Sequence, residues 1–278
     1  MSPAARVVAA AVLLVAGSLP ATAAPPITGR LTSAALGEVR EYTVRLPDDY
    51  GRTRTRRYPV VYVLDGPPLD DHTAEAATAL ARGGKAPGVI VIGIPNMQRG
   101  GRARDFLPPA LRFARRDGTP FTGGADRFLR FLRDELVPRI EREYRTAAPR
   151  LLVGHSLGAI FVCYSLTAAP GFFDARFAHS PAIWRDEDVV IGSVERYLAS
   201  ARGIGGFFYV SAGTDEGETL QRGYHRLRAV LAARAAGAGL RWQGALTPGA
   251  VHETSVRLAS PVALAAYFAG LAAPGRPR

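Results

Sequence analysis

The sequence predicts one α/β domain, with a mostly parallel central sheet, helices on both of its faces and an N-terminal antiparallel hairpin. Short apolar, β-rich runs alternate along the chain with segments of helical periodicity, a pattern typical of parallel strands joined by crossover helices. The runs 58–64, 89–94 and 151–153 lack polar alternation, as strands buried on both faces do. A chain of 278 residues is long enough for a large domain with its own core.

The elements can be assigned in chain order. Residues 27–46 alternate apolar and polar side chains around Gly37, which predicts the hairpin. The predicted strands that follow comprise residues 58–64, 89–94, 151–153, 177–182, 206–211 and 240–245. The predicted helices comprise residues 74–82, 125–144, 159–166, 190–201, 220–236 and 261–271. Residues 95–124 are predicted to be irregular. Because parallel strands end at the same edge of a sheet, the loops after these strands should meet there and form the site.

The first 23 residues are predicted to be an export signal, and residues 24–278 the single domain. Arg6 is the only charge in this stretch, residues 7–15 form a short apolar core, and Ala21-Thr22-Ala23 offers a small-x-small cleavage site. The apolar core is too short to cross a bilayer. An uncleaved anchor is the alternative, but cleavage is favoured by the Ala/Pro-rich stretch that follows. A periplasmic or secreted protein without stable membrane insertion is therefore expected.

The composition narrows the classes of partner. The formal net charge is +11 and is carried almost wholly by arginine, because Lys85 is the sole lysine. Such a surface suits anionic partners, yet no nucleic-acid-binding motif is present, so a small-molecule partner is expected and nucleic acid is not. Cys163 is the only cysteine, which excludes an intramolecular disulfide, and its position on an apolar helix face predicts a buried thiol.

The pentapeptide Gly154-His155-Ser156-Leu157-Gly158 carries the strongest chemical signal in the chain. It follows an apolar strand and precedes an apolar helical segment. A serine at the apex of such a turn is held on strained backbone with its hydroxyl exposed, and flanking glycines avoid collisions with the neighbouring elements. The alternative is a Gly-rich turn with an idle serine. The context favours Ser156 as a nucleophile.

A nucleophilic serine needs a base, and the base needs an orienting acid. In α/β-hydrolases the order along the chain is serine, acid, histidine. Only His225 and His252 follow a carboxylate at a strand end; His225 lies within a predicted helix, whereas His252 follows the last strand, so His252 is the predicted base. Asp215 and Glu216 compete for the acid, since adjacent side chains point in different directions.

With these residues in place, the chain resembles the Putative esterase family of α/β-hydrolases. That family includes siderophore trilactone esterases and is related to S-formylglutathione hydrolases and mycolyl transferases. The resemblance runs from about residue 28 to residue 271 and is carried by residues 58–66, 93–94, 123–145, 154–158, 180–181 with Trp184, and 249–252. It implies the α/β-hydrolase fold and a serine esterase that uses no metal or cofactor. Relatives often carry the acid three residues after a strand-end glycine, which favours Glu216 over Asp215.

The resemblance also identifies a departure at the oxyanion hole. In relatives, one backbone N–H after the Leu-Asp-Gly turn and one after the serine stabilise the oxyanion. Here the residue after that turn is Pro67, which has no N–H. Leu157 can still donate one hydrogen bond, and a second would have to come from elsewhere, with Leu69 as a candidate if the turn is reshaped.

Six arginines in residues 95–124 suggest the substrate class. Because this segment follows a strand that ends near the serine, Arg99 and Arg102 are predicted to bind an anionic ester, such as a ferric catecholate siderophore trilactone. The alternatives for these side chains are solvation or a role in tying the loop together. A general carboxylesterase, an acyltransferase and a binding module with a lost oxyanion hole remain the competing functions.

Overall fold

The structure is a computed structural model that describes residues 25–96, 101–114, 120–183 and 187–272. Its strands are β1 (Ile27–Ser33), β2 (Glu38–Arg45), β3 (Tyr58–Leu64), β4 (Ile90–Ile94), β5 (Arg112–Ala114), β6 (Pro120–Thr122), β7 (Thr146–His155), β8 (Ala175–His179), β9 (Phe207–Gly213) and β10 (Arg241–Thr247). Its helices are α1 (Leu69–Arg82), α2 (Gly101–Phe106), α3 (Ala125–Arg130), α4 (Val137–Glu143), α5 (Leu157–Ala168), α6 (Glu187–Ser200), α7 (Glu218–Ala238) and α8 (His252–Ala272), and a π-helical turn, Phe131–Leu136, joins α3 to α4.

Eight strands form the main sheet, in the order β1-β2-β4-β3-β7-β8-β9-β10. Every neighbouring pair from β4 to β10 is parallel, whereas β1 and β2 form an antiparallel hairpin that joins β4. The predicted α/β class, with its mostly parallel sheet and N-terminal hairpin, is confirmed. Because the six parallel strands end at one edge, the loops after them share that edge.

The sheet separates two apolar layers, which explains why strand β3 has no polar alternation. Val61 and Val63 pack on the face covered by α1 and α8, while Tyr62 and Leu64 pack on the opposite face, beneath α5 and the helices around it. All seven residues of β3 are buried. Successive side chains of a strand point to opposite faces, so a strand covered on both sides must be apolar throughout. Cys163 is buried in α5, as predicted.

Three sequence predictions need correction. Helix α1 begins at Leu69, five residues before the predicted start, directly after a Pro-Pro pair and with two acidic residues in its first turn, where the helix dipole favours them. Residues 95–124 are not irregular throughout, since they contain α2 and the β5-β6 hairpin.

The third correction concerns α8, which begins at His252 and contains Pro261 in its interior. The prediction of a helix over residues 261–271 therefore misses its first nine residues, although proline ordinarily disrupts a helix interior. His252 is consequently the first residue of a helix, not a loop residue. Among the described helices, none is both long enough and apolar enough to cross a membrane.

Candidate active site

Ser156 lies at the sharp turn between β7 and α5, with φ 59° and ψ −118°. Positive φ is uncommon for a residue other than glycine and marks strained backbone. The turn is held by three hydrogen bonds: the Ser156 N–H donates to the His179 carbonyl at 3.0 Å, and its own carbonyl accepts from Ala159 and Ala182. Neighbouring elements therefore maintain the strained conformation, as a nucleophile elbow requires.

The two glycines of the pentapeptide have different roles. A Cβ on Gly154 would lie 2.4 Å from the Gly158 carbonyl oxygen, so only glycine fits there. A Cβ on Gly158 would approach its nearest neighbour, Asp65 Oδ2, at 3.4 Å, which is ordinary contact. The predicted collision therefore occurs at Gly154 and not at Gly158.

His252 and Glu216 are brought together by the ends of β10 and β9. His252 Nδ1 lies 3.4 Å from Glu216 Oε2, a long hydrogen bond in which the imidazole is the donor. The Glu216 side chain is fully buried, whereas the His252 side chain is 26% exposed. Within the described residues, Ser156 Oγ makes no hydrogen bond, and catalytic contacts of this kind often tighten only when substrate binds.

The competing candidates lie elsewhere. The Asp215 side chain is exposed and accepts a hydrogen bond from Thr214 Oγ1 at 2.9 Å, while its amide donates to the Ala250 carbonyl. His225 is exposed on α7, with its ring against that of Tyr224. Adjacent residues of a loop point in different directions, which is why Glu216 faces inward and Asp215 outward.

The Glu216 carboxylate lies in an environment that favours its charged form. Burial by itself raises the pKa of this group, but hydrogen bonds from His252, Ser180 Oγ and the Gly213 N–H outweigh burial and leave the pKa below its usual range. The Gly213 amide lies 2.9 Å from Oε1, the same oxygen that accepts the Ser180 hydroxyl. One carboxylate oxygen is thus anchored, and Oε2 is left for His252.

His155, the second residue of the pentapeptide, is a site residue whose role the sequence does not predict. Its ring stacks on His252, with centroids 4.5 Å apart and planes tilted by 38°, and its Nε2–H donates to the His252 carbonyl oxygen at 2.9 Å. Burial, followed by repulsion from His252, lowers the pKa of His155 to about 4. His155 is therefore neutral at physiological pH and braces His252 without adding charge.

The oxyanion region contains a free donor at Leu157 and none in the opposite turn. No residue in the described ranges accepts a backbone hydrogen bond from the Leu157 N–H. In residues 67–70, the first two are prolines, and the N–H groups of Leu69 and Asp70 both donate to the Gly66 carbonyl, at 2.8 and 3.3 Å. The N–H of Leu69, the candidate for the missing donor, is therefore already bonded within the first turn of α1.

Arg102 has internal partners beside the elbow. Its Nε and Nη2 lie 2.7 and 3.0 Å from the two carboxylate oxygens of Asp65, and Nη2 also donates to the His155 carbonyl at 3.0 Å. Asp65 directly follows β3 in a left-handed conformation, and its burial raises its pKa more than Arg102 lowers it. Arg102 thus ties the oxyanion turn to the elbow, and only Nη1 lacks a described partner. Arg99, the other predicted substrate contact, lies outside the described residues.

Comparison with known proteins places this geometry in a family. A model of the Putative esterase family matches residues 33–234. The chain is 32% identical over 155 residues to the ferri-bacillibactin esterase BesA of Bacillus subtilis. The matched region covers 51% of this chain and 54% of that protein. Over 129 residues it is 32% identical to the siderophore enterobactin esterase of Emericella nidulans, 41% of each. The matched regions thus span about half of these relatives or less.

Solved structures extend the likeness over most of the chain. An IroE-like serine hydrolase from Shewanella oneidensis superposes with a TM-score of 0.79 at 27% identity, covering 90% of this chain and 82% of that one. The BES protein from Bacillus cereus superposes with a TM-score of 0.75 at 23% identity, covering 90% and 98%. These superpositions confirm the expected α/β-hydrolase fold.

Proposed function

We propose, because this chain belongs to the Putative esterase family, that it is a serine ester hydrolase acting through an acyl-enzyme. The contact between His252 Nδ1 and Glu216 Oε2, beside a serine on a strained elbow, is the observation that carries the proposal. A base oriented by a buried carboxylate next to such a serine is the arrangement that activates a hydroxyl for acyl transfer. Ser156, His252 and Glu216 are the proposed nucleophile, base and acid.

The reaction proceeds in two halves. Ser156 Oγ attacks the ester carbonyl carbon while His252 Nε2 takes the hydroxyl proton, and His252 then returns that proton to the departing alcohol. Water, deprotonated by the same imidazole, attacks the acyl-serine, and the imidazolium returns that proton to Ser156 Oγ as the acid is released. Glu216 Oε2 accepts the Nδ1–H in both halves, which fixes the tautomer and stabilises the imidazolium.

The proposed oxyanion hole is incomplete on one side. The Leu157 N–H is free to donate to the oxyanion at the start of α5, where the helix dipole adds favourable charge. The turn 67–70 supplies no free amide, as described above. Loss of one donor reduces kcat about a hundredfold to a thousandfold in other enzymes. We therefore expect slow turnover of simple esters. Substrate positioning should contribute more of the rate acceleration here than in an enzyme with two oxyanion donors.

We infer that the substrate is an anionic ester of the ferric catecholate siderophore class. Of the two relatives described above, one is named a ferri-bacillibactin esterase and the other a siderophore enterobactin esterase. A net charge of +11 favours encounter with an anion. Arg99 and Arg102 are the proposed contacts, with Arg102 limited to Nη1 because Asp65 and His155 occupy its other groups.

Turnover of a chromogenic short-chain ester tests the reaction. Ser156→Ala and His252→Ala should each lower kcat at least a thousandfold with folding unchanged, because each removes part of one proton-transfer unit. His225→Ala is the matched control and should retain wild-type kcat. A wild-type chain without turnover and without labelling of Ser156 by a fluorophosphonate would instead support a binding module of the same fold.

Ionic strength tests the substrate class. The kcat/KM for a ferric catecholate trilactone should fall as salt is added, whereas that for a neutral ester should not. Arg99→Ala should reproduce this selective loss, and Arg202→Ala, an exposed arginine after α6 at the opposite edge of the sheet, should not. Equal salt sensitivity for both esters, or no trilactone cleavage, would leave a general carboxylesterase. An added alcohol that raises product release would indicate an acyltransferase.

We propose that the protein acts in the periplasm or outside the cell after removal of residues 1–23, which lie outside the described residues. The support is the short apolar core with its small-x-small site. N-terminal sequencing of the protein recovered from the periplasm and medium of an expressing bacterium should find Ala24 first. An intact N-terminus in the membrane fraction would instead identify an anchor.

A further inference from the structure

Ser180, directly after β8, has no role in the mechanism proposed above. In the sequence, Ser180-Pro181 is one of the motifs that carry the family resemblance. Ser180 is 1% exposed and has φ 46°, a left-handed conformation that is uncommon for a serine. Its N–H donates to the Ser211 carbonyl at 2.7 Å, so β9 fixes its backbone. Strained backbone of this kind is concentrated at functional sites, so a strained, buried polar residue beside a candidate site is a candidate functional residue.

The Ser180 side chain reaches the carboxylate of the proposed acid. Its Oγ donates a short hydrogen bond to Glu216 Oε1, and Ser255 Oγ lies 2.6 Å from Ser180 Oγ. Ser255 is itself fully buried on α8, one turn after His252. The Gly213 N–H donates to the same Oε1 at 2.9 Å. Two donors thus hold one oxygen of Glu216, while the other faces His252.

A count of protons fixes the direction of this network. A carboxylate only accepts, and Ser180 has a single hydroxyl proton, so Ser180 donates to Glu216 and accepts from Ser255. Ser255 Oγ also lies 3.0 Å from the His252 carbonyl, which accepts the His155 Nε2–H as well. The single proton of Ser255 is assigned to Ser180, because the two hydroxyl oxygens are only 2.6 Å apart and such a contact needs a proton between them. The resulting chain runs from Ser255 to Ser180 to Glu216, and each hydroxyl donates once.

The end of β8 also holds the nucleophile. The carbonyl of His179 accepts the Ser156 N–H at 3.0 Å, and the next residue along the chain is Ser180. The last residue of β8 and the residue directly after it therefore contact the backbone of the nucleophile and the carboxylate of the acid. This strand end sets the distance between the two halves of the site.

We propose that Ser180, supported by Ser255, is a positioning residue that fixes the Glu216 carboxylate so that Oε2 faces His252. The inference rests on the proposed function, because it takes Glu216 as the acid. Without the hydroxyl, Oε1 would keep only the Gly213 amide, and the buried carboxylate could turn away from the imidazole. The left-handed backbone of Ser180 directs its hydroxyl towards Glu216, and the hydrogen bond from its N–H to β9 keeps that backbone in place.

Paired substitutions separate the hydroxyl from the backbone conformation. Ser180→Ala and Ser180→Gly both remove the hydroxyl, but glycine also relieves the positive φ. We expect kcat for a neutral ester to fall roughly tenfold in both, as for a lost hydrogen bond to a charged group, with KM unchanged. Ser165→Ala is the matched control, since Ser165 is a buried serine that donates to the Val162 carbonyl and accepts from Arg176.

The pH profile gives a readout that a purely structural role would not change. The acid limb of kcat/KM follows protonation of the base, and a carboxylate that turns away no longer stabilises the protonated imidazole. The limb should therefore move to lower pH in both Ser180 variants and stay unchanged in Ser165→Ala. The titratable groups packed around Glu216 are His252 at the start of α8 and His155 at the end of β7, with the Arg102 guanidinium behind His155. None of these is altered by the substitutions, so a moved limb reports the carboxylate.

Three outcomes would overturn the inference. The first is a Ser180→Ala variant no slower than Ser165→Ala, and the second is full activity in Ser180→Gly alone, which would assign the effect to backbone strain. The third is an unchanged pKa of the Glu216 carboxyl, followed by its 13C resonance, in Ser180→Ala; we expect that pKa to rise. This titration needs no turnover, so it tests the inference even if the proposed esterase activity fails. Should neither Ser180 variant fold, Ser255→Ala must show a smaller change in the same direction.

Discussion

The imidazole of His155 stacks on that of His252, 4.5 Å between centroids, and donates its Nε2–H to the backbone carbonyl of the same residue. The residue before the proposed nucleophile therefore holds the proposed base by two contacts, one with its ring and one with its backbone. Because the pKa of His155 is lowered to about 4, mainly by burial, the brace stays neutral where the enzyme would work. The elbow strand thus orients both partners of the proton transfer.

The first prediction follows from this brace. His155→Ala should lower kcat for a neutral ester by up to about a hundredfold, because small displacements of a catalytic group can reduce the rate by that factor. Steady-state kinetics with His225→Ala as the control would check it. Wild-type kcat in His155→Ala would show that Glu216 and the start of α8 orient His252 without help.

The second prediction assigns the acid. Glu216→Gln should lower kcat about a thousandfold or more, since the amide cannot stabilise the imidazolium. Asp215→Asn should change kcat less than threefold, because the Asp215 side chain is exposed and bonded to Thr214. Parallel kinetics on both variants are decisive: the opposite order of effects would move the role to Asp215.

The third prediction concerns the missing oxyanion donor. Pro67→Ala restores an N–H at the position where relatives carry one, so kcat for a simple ester should rise, up to about a hundredfold. Pro68→Ala is the control in the same turn and should leave kcat unchanged. If neither substitution raises kcat, the oxyanion is stabilised by a donor other than this turn.

The fourth prediction is a loss of stability in acid. His179 is fully buried, with Nδ1 2.8 Å from Ser211 Oγ; burial and then repulsion from His155 lower its pKa from 6.5 to about 3. In the unfolded chain His155 and His179 take up a proton near pH 6.5. In the folded protein His155 does so only near pH 4 and His179 only near pH 3. The unfolded state therefore binds more protons below pH 6.5, and stability should fall as the pH drops from there towards 4.

Thermal melting across this range checks the fourth prediction. The drop in Tm between pH 7 and pH 5 should be smaller in His179→Asn than in the wild type, because one buried histidine no longer resists protonation. His225→Asn, at an exposed position on α7, should keep the wild-type dependence. Parallel curves for all three proteins would contradict the assignment of acid sensitivity to His179.

Much of the fold could be predicted because local patterns carry it. The unbroken apolar run at β3 identified a strand covered on both faces, and the alternation around Gly37 identified the hairpin. Predictions failed where one residue type fits two positions. Pro261 is compatible with the first turn of a helix and also with an interior position. The structure shows that α8 starts earlier, because Ala259 and the residues around it pack in the core as part of the same helix.

The sequence by itself determined the class of the fold, the elbow at Ser156, the order of the candidate catalytic residues and the absence of an N–H at Pro67. These follow from spacing and from covalent structure, which do not depend on distant contacts. Tertiary structure alone decided that Glu216 faces His252 while Asp215 faces water, that Asp65 occupies Arg102, and that Ser180 holds Glu216. Each of these depends on which residues, distant in sequence, meet at the carboxyl edge of the sheet, because hydrogen bonds form only within about 3.5 Å and at restricted angles.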